Sequence, residues 1–216
     1  ESLYGIPFSM RTRIDYLADK YSFTELNESP RLRRQWQDVL DECRQTEAGP
    51  EERLRIALLN VDYVTSFELP FRLLLTRTPQ LIAALREEWD ISQKNVVFND
   101  KRFGCVYSLK ASLSSVPDTY RYHLSHRIRR VVGNENTSLP YQQVAREVKV
   151  PRERLKYALE AGLLVTALDG LFWSGSQRIA ADVLRLRKAG MPVVTTTVEV
   201  HDNLTGTTRK VPAYHL

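Results

Sequence analysis

The chain has 216 residues, 43% of them hydrophobic and 26% charged, which suits a globular protein with one large or two small cores. No apolar run approaches the roughly 18 residues needed to cross a bilayer, and residues 69–75 are interrupted by Pro70 and Arg72, so no membrane partner is expected. The net charge of +5 is unevenly spread: residues 1–120 hold 16 basic against 18 acidic side chains, residues 121–216 hold 15 against 8. A near-neutral half joined to a basic half points to one end that meets nucleic acid and another that does something else.

Taken in chain order, the first 150 residues read as mostly helical. Residues 11–21 form a short amphipathic helix with Ile14, Leu17 and Ala18 inward. Ser29-Pro30 opens a longer one to about residue 45, with Leu32, Trp36, Val39, Leu40 and Cys43 at helical spacing. After the Ala48-Gly49-Pro50 break, Glu51 and Glu52 favour a helix start, and residues 54–67 continue the pattern. Residues 80–89 are helical after Pro79, and residues 95–109 change character to a hairpin turning at Asn99-Asp100. Pro117-Asp118 starts a further helix to Val132, followed by a polar loop over 133–139.

The last 66 residues carry the sharper pattern. Pro151 suits a first helical turn, and residues 152–161 carry Leu155, Ala158 and Leu159 on one stripe before Gly162. An apolar stretch follows to Gly175, in which Thr166 or Ser176 is suited to cap a helix. Over residues 177–189, Ile179, Val183 and Leu186 fall on one helical face. Gln177, Arg178, Ala181, Arg185 and Lys188 fall opposite, with Leu184 among them and expected to pack under the hairpin. Long donors beside a small alanine suit a helix lying in the major groove. Gly190 and Pro192 stop it, and residues 193–200 and 207–214 read as strands around an Asp202–Gly206 turn. Arg209 and Lys210 sit beside that turn, where a wing meets phosphate.

A weaker candidate contact lies upstream, where Arg121, Arg127, Arg129 and Arg130 crowd one helix with His123 and His126. There, residues 141–149 and 152–162 also read as a helix-turn-helix, with 152–162 as reader. Tandem winged helices sharing that connecting helix would satisfy both assignments, and the distal reader has the cleaner face. Arg127 and Arg130 therefore join Gln177, Arg178, Arg185, Lys188, Arg209 and Lys210 as the candidate DNA contacts.

Residues 154–162, Val165-Thr166-Ala167, 176–180, the Leu186-Arg-Lys-Ala-Gly190 run to Val193, and the closing Ala213-Tyr-His-Leu216 together resemble a known domain type. This is the winged helix-turn-helix domain that recurs in bacteriophage and prophage proteins; the likeness covers about the last third of the chain. It implies DNA binding through Gln177, Arg178, Arg185 and Lys188, a phage or mobile-element origin, and action in a bacterial host cytoplasm.

Catalytic chemistry finds little support. His123 and His126 lack a carboxylate or cysteine pattern to complete a metal site, and Cys43 and Cys105 are too few for a knuckle and should be reduced thiols. Asn99-Asp100-Lys101 echoes a nuclease arrangement over one short turn only, and no glycine-rich phosphate loop is present. No catalytic residue, metal or cofactor is expected.

The expectation is a mainly α protein with small β hairpins (α+β): a helical domain over 1–115, and a basic region over 116–216 ending in a winged helix with its core at 151–216. Its partner would be double-stranded DNA, bound sequence- or structure-specifically by a regulator, recombination accessory or origin-binding protein. The N-terminal helices would serve homo-oligomerisation or a protein partner. The alternatives are a DNA-targeted enzyme such as a metal-dependent nuclease, and a protein-binding adaptor or inhibitor of a host enzyme.

Overall fold

Ser29 opens helix α1 (Pro30–Thr46) by accepting the Leu32 amide at 3.1 Å, and Leu32, Trp36, Val39 and Cys43 bury one stripe of it. The computed structural model describes residues 29–98, 100–109, 135–176, 178–202 and 204–216. The helices expected over 11–21 and 117–132 lie outside the described residues, as do Arg127 and Arg130. The rest falls into two compact units, over 29–109 and 135–216, each mixing helices with a three-stranded antiparallel sheet. The fold class is α+β.

In the first unit α1 is followed by α2 (Pro50–Asn60), β1 (Val64–Thr65), α3 (Leu69–Arg72), α4 (Thr78–Leu85) and the hairpin β2 (Ser92–Phe98) and β3 (Lys101–Ser108). The hairpin is where it was expected. The helix expected over 54–67 instead ends at Asn60. The apolar spacing runs on through Val61 and Val64, but Val64 and Thr65 pair with Tyr107 and Val106 of β3. Tertiary pairing of a β-branched pair overrides the helical period there. The strand order is β1-β3-β2.

The second unit runs α5 (Glu135–Glu147), α6 (Pro151–Glu160), β4 (Val165–Thr166), α7 (Ala167–Asp169) with a wide turn over Gly170–Ser174, α8 (Ile179–Lys188), β5 (Val194–Asp202) and β6 (Thr207–His215). Its strand order is β4-β6-β5, the same as the first. Helix α5 already begins at Glu135 and keeps Pro140 inside it, where a polar loop to residue 139 was expected. Helix α6 buries Arg154, Leu155, Ala158 and Leu159 and packs on α5 and on the wide turn. Buried on that side, α6 is a supporting element of its unit.

The two units repeat each other at a spacing of 101 residues. Pro50, Glu52, Arg53, Leu54, Ala57 and Leu58 recur as Pro151, Glu153, Arg154, Leu155, Ala158 and Leu159, and Val64-Thr65 recurs as Val165-Thr166. Structural roles recur with them. Arg53 and Arg154 are both buried, and their Nε groups donate to the Ala48 and Val148 carbonyls at 2.7 and 2.6 Å. Leu74 and Gly175 both have positive φ, 58° and 70°. Arg86 and Arg187 each tie the end of the preceding helix to the next strand, on Gln93 Oε1 at 2.7 Å and on Thr195 Oγ1 at 2.8 Å. One buried pair is exchanged in size: Leu69 and Thr78 become Gly170 and Ile179, and a Cβ on Gly170 would lie 2.8 Å from Ile179 Cδ1. The large residue changes sides, and the missing side chain at Gly170 leaves the space that Ile179 fills.

The junction after each short strand is closed by an acid three residues on. Glu68 Oε2 accepts from the Thr65 amide and hydroxyl at 2.9 and 2.6 Å; Asp169 Oδ2 accepts from the same groups of Thr166 at 2.9 and 2.8 Å. Both pairs are reciprocal, Thr166–Asp169 capping α7 and Thr65–Glu68 closing the turn before α3. Glu68 also pairs with Arg72 at 2.8 Å, and Arg72 stacks on Trp36 with its guanidinium 4.6 Å from the ring. Position 173, the counterpart of Arg72, is Trp. Asp169 Oδ1 is thus buried without a hydrogen-bond partner, and burial pushes the Asp169 carboxyl up to about 8 against the two bonds from Thr166.

A folded-state value above the unfolded one means that the folded chain keeps a proton that the unfolded chain has released. This contribution to stability is full below the ordinary aspartate range, and it is lost as the pH rises through that range towards about 8. Urea denaturation across pH 4–8 is expected to show a decline in second-unit stability that Asp169→Asn removes; an identical pH dependence in the variant would contradict a protonated Asp169.

Candidate nucleic-acid interface

Helix α8 starts after Arg178 and is held down by Ile179 and the fully buried Val183, with Leu186 half-buried. Its other side presents Arg178, Ala181, Arg185 and Lys188 to solvent, as the spacing predicted. Gln177 lies outside the described residues. Leu184 is 51% exposed and stands in the middle of this face instead of packing under the hairpin. Arg185 pairs with Asp182 one turn before it, and Asp182 also accepts from the Ser176 hydroxyl. The Arg185 side chain is thereby held along the helix towards Asp182.

Arg187 belongs to a different class. Its Nε donates to the Val193 carbonyl at 2.9 Å, so it fastens the helix end to β5. The Gly190 position, at φ 98°, lets the chain turn back between them.

The hairpin separates the two candidate wing residues. Asp202 is fully buried at the end of β5, accepts the Leu204 amide at 3.0 Å and pairs with Arg209 Nε at 3.0 Å. The Arg209 side chain is 20% exposed. It neutralises a buried carboxylate, a role that no spacing rule distinguishes from phosphate contact. Lys210 is exposed, opposite the exposed Glu199 across the β5–β6 pair. Gly206, with φ 71° and its amide on the Asp202 carbonyl at 2.8 Å, closes the turn between the strands.

The repeat offers a comparison within one molecule. The first unit's counterparts of Arg178, Ala181, Arg185 and Lys188 are Arg77, Gln80, Ala84 and Glu87. Glu88, on the turn after α4, is held to Arg55 at 2.8 Å, which keeps its carboxyl below its usual range. The first unit's face is therefore not cationic.

Among the described residues, no group of histidine, cysteine or acidic side chains is arranged to hold a metal ion, and no helix is long and apolar enough to cross a membrane. Cys43 and Cys105 are free and buried. Compared with known proteins, the chain matches no family model, no curated protein and no solved structure.

Removing one partner of a buried pair costs about 3–5 kcal/mol, scaled down where one side meets solvent. Arg209→Ala is therefore expected to lower the unfolding free energy of the second unit by about 2 kcal/mol, read by chemical denaturation. Lys210→Ala should leave it within about 0.5 kcal/mol. Equal stabilities for the two variants would remove the Arg209–Asp202 pair from this role.

Proposed function

We propose that the chain is a tandem pair of winged helices that binds double-stranded DNA through the second. Supporting the winged-helix reading, each unit has a helix, a short strand, two helical segments and a hairpin, with the first strand paired to the last. The observation that carries the DNA reading is the solvent face of α8: Arg178, Arg185 and Lys188 around Ala181, backed by buried Ile179 and Val183. A helix of this kind can enter a major groove, its small residue letting the backbone approach while the long donors reach base edges. Lys210 would add a phosphate contact from the wing.

The first winged helix has a different job. Its α4 carries Gln80 and Ala84, with Arg77 before the helix and Glu87 after it, and Leu59 of α2 is 65% exposed. That composition suits contact with protein, either a second copy of the chain or another partner. Together with the resemblance of the last third to phage and prophage domains, this favours a DNA-bound regulator, recombination accessory or origin-binding protein that assembles through its first half.

The test is fluorescence anisotropy of labelled duplex with full-length protein at two salt concentrations. Wild type should bind with an affinity that falls as salt rises. A base-reading arginine is worth on the order of 1–3 kcal/mol, so Arg178→Ala with Arg185→Ala should weaken binding at least about tenfold. Circular dichroism should stay unchanged, since both side chains are exposed. Unchanged affinity in a folded double variant would exclude α8 as the reader.

A further inference from the structure

Beside the α8 face the second unit has an open, solvent-facing cavity of about 310 Å³. Three arginines line it, Arg152 from α6 with Arg178 and Arg185, against one carboxylate, Asp182, and the hydroxyl residues Ser174 and Ser176. The carboxylate is already engaged by Arg185 and by the Ser176 hydroxyl. Arg152 and Arg178 are exposed at the surface of their unit. Guanidinium groups around a concavity focus positive potential there and offer paired donors that match the oxygens of a phosphate.

The fold does not need this arrangement. In the first unit the counterparts of Arg152, Arg185 and Asp182 are Glu51, Ala84 and Leu81. Ser174 and Ser176 correspond there to Leu73 and Leu75, both buried. The same element order forms with an acid, an alanine and apolar side chains at these positions. Arg53/Arg154 and Arg86/Arg187 do recur, each bonded to the backbone of its own unit. Structural arginines are thus kept in both copies, while Arg152 and Arg185 belong to the second alone.

We propose that this cavity seats one backbone phosphate of the duplex read by α8, with Arg152 as a contact from outside the reader helix. The inference rests on the DNA reading above, because Arg178 and Arg185 border both the cavity and the groove-facing side of α8. A phosphate held there would fix the register of the helix along the duplex without reading sequence.

The experiment is duplex titration over a salt series with full-length wild type, Arg152→Gln and, as an exposed cation on the same helix, Lys156→Gln. Each phosphate contact contributes about 0.9 to the slope of log affinity against log salt. Arg152→Gln should lower the slope by about 0.9, leave the preference among duplex sequences unchanged, and differ from Lys156→Gln, which should keep the wild-type slope. A wild-type slope in Arg152→Gln, or an equal drop in Lys156→Gln, overturns the cavity proposal while the DNA reading stands. No duplex binding by wild type at low salt overturns both. A parallel titration with inorganic phosphate follows the Arg152 Nε–Hε resonance. If it shifts as with duplex at equal phosphate concentration, and Arg152→Gln keeps full duplex affinity, the cavity holds a free phosphate and the proposal falls.

Discussion

Each unit turns on a carboxylate that takes both the amide and the hydroxyl of a threonine three residues before it. At Thr65–Glu68 and Thr166–Asp169 this bond closes the passage from a two-residue strand to a helical segment, across a three-residue turn in the first unit and directly in the second. The strand is tied to the last strand of the hairpin, and the helical segment leads into the helix that faces solvent. The start of α3 and of α7 is thus tied to its short strand at one buried junction. Burying such an acid is costly unless it is bonded. The first unit offsets the cost with Arg72; the second leaves one oxygen of Asp169 unpartnered and holds it protonated into the neutral range.

Two copies of one architecture in a chain separate charge that the fold requires from charge that it does not. Arg53/Arg154 and Arg86/Arg187, which recur at the 101-residue spacing, donate to carbonyls and bridge elements within their own unit. Arg152 and Arg185, confined to the second copy, lie around the cavity beside α8 together with Arg178, whose counterpart Arg77 is kept. A duplicated binding domain can keep its scaffold while one copy loses its cationic face, since surface substitutions away from caps and buried pairs change stability little. Glu87 in place of Lys188 is a substitution of that kind.

The α8 face was legible in advance because helical periodicity separates Ile179 and Val183 from Arg178, Arg185 and Lys188 without any tertiary knowledge. The hairpins were legible from β-branched runs around turn residues. The first unit's short strand was not, since Val64 continues a helical stripe and only its pairing with Tyr107 reveals it. Arg209 looked like a phosphate contact because the burial of Asp202 cannot be read from spacing. Leu184 is expected under the hairpin on the rule that apolar side chains hide, but single apolar side chains are also common on surfaces. The repeat itself was present in the sequence as Pro-x-Glu-Arg-Leu-x-x-Ala-Leu at 50–58 and 151–159. At this spacing Arg152 stands where the first copy has Glu51.

The central claim is that one of two like-built units reads duplex DNA. Hydrogen–deuterium exchange of the full chain, with and without duplex, addresses it directly. Slower exchange on DNA addition is expected in peptides covering residues 178–188 and the β5–β6 turn, with residues 77–88 unchanged. Protection of residues 77–88 instead, or of neither segment under conditions where DNA is bound, would contradict the account.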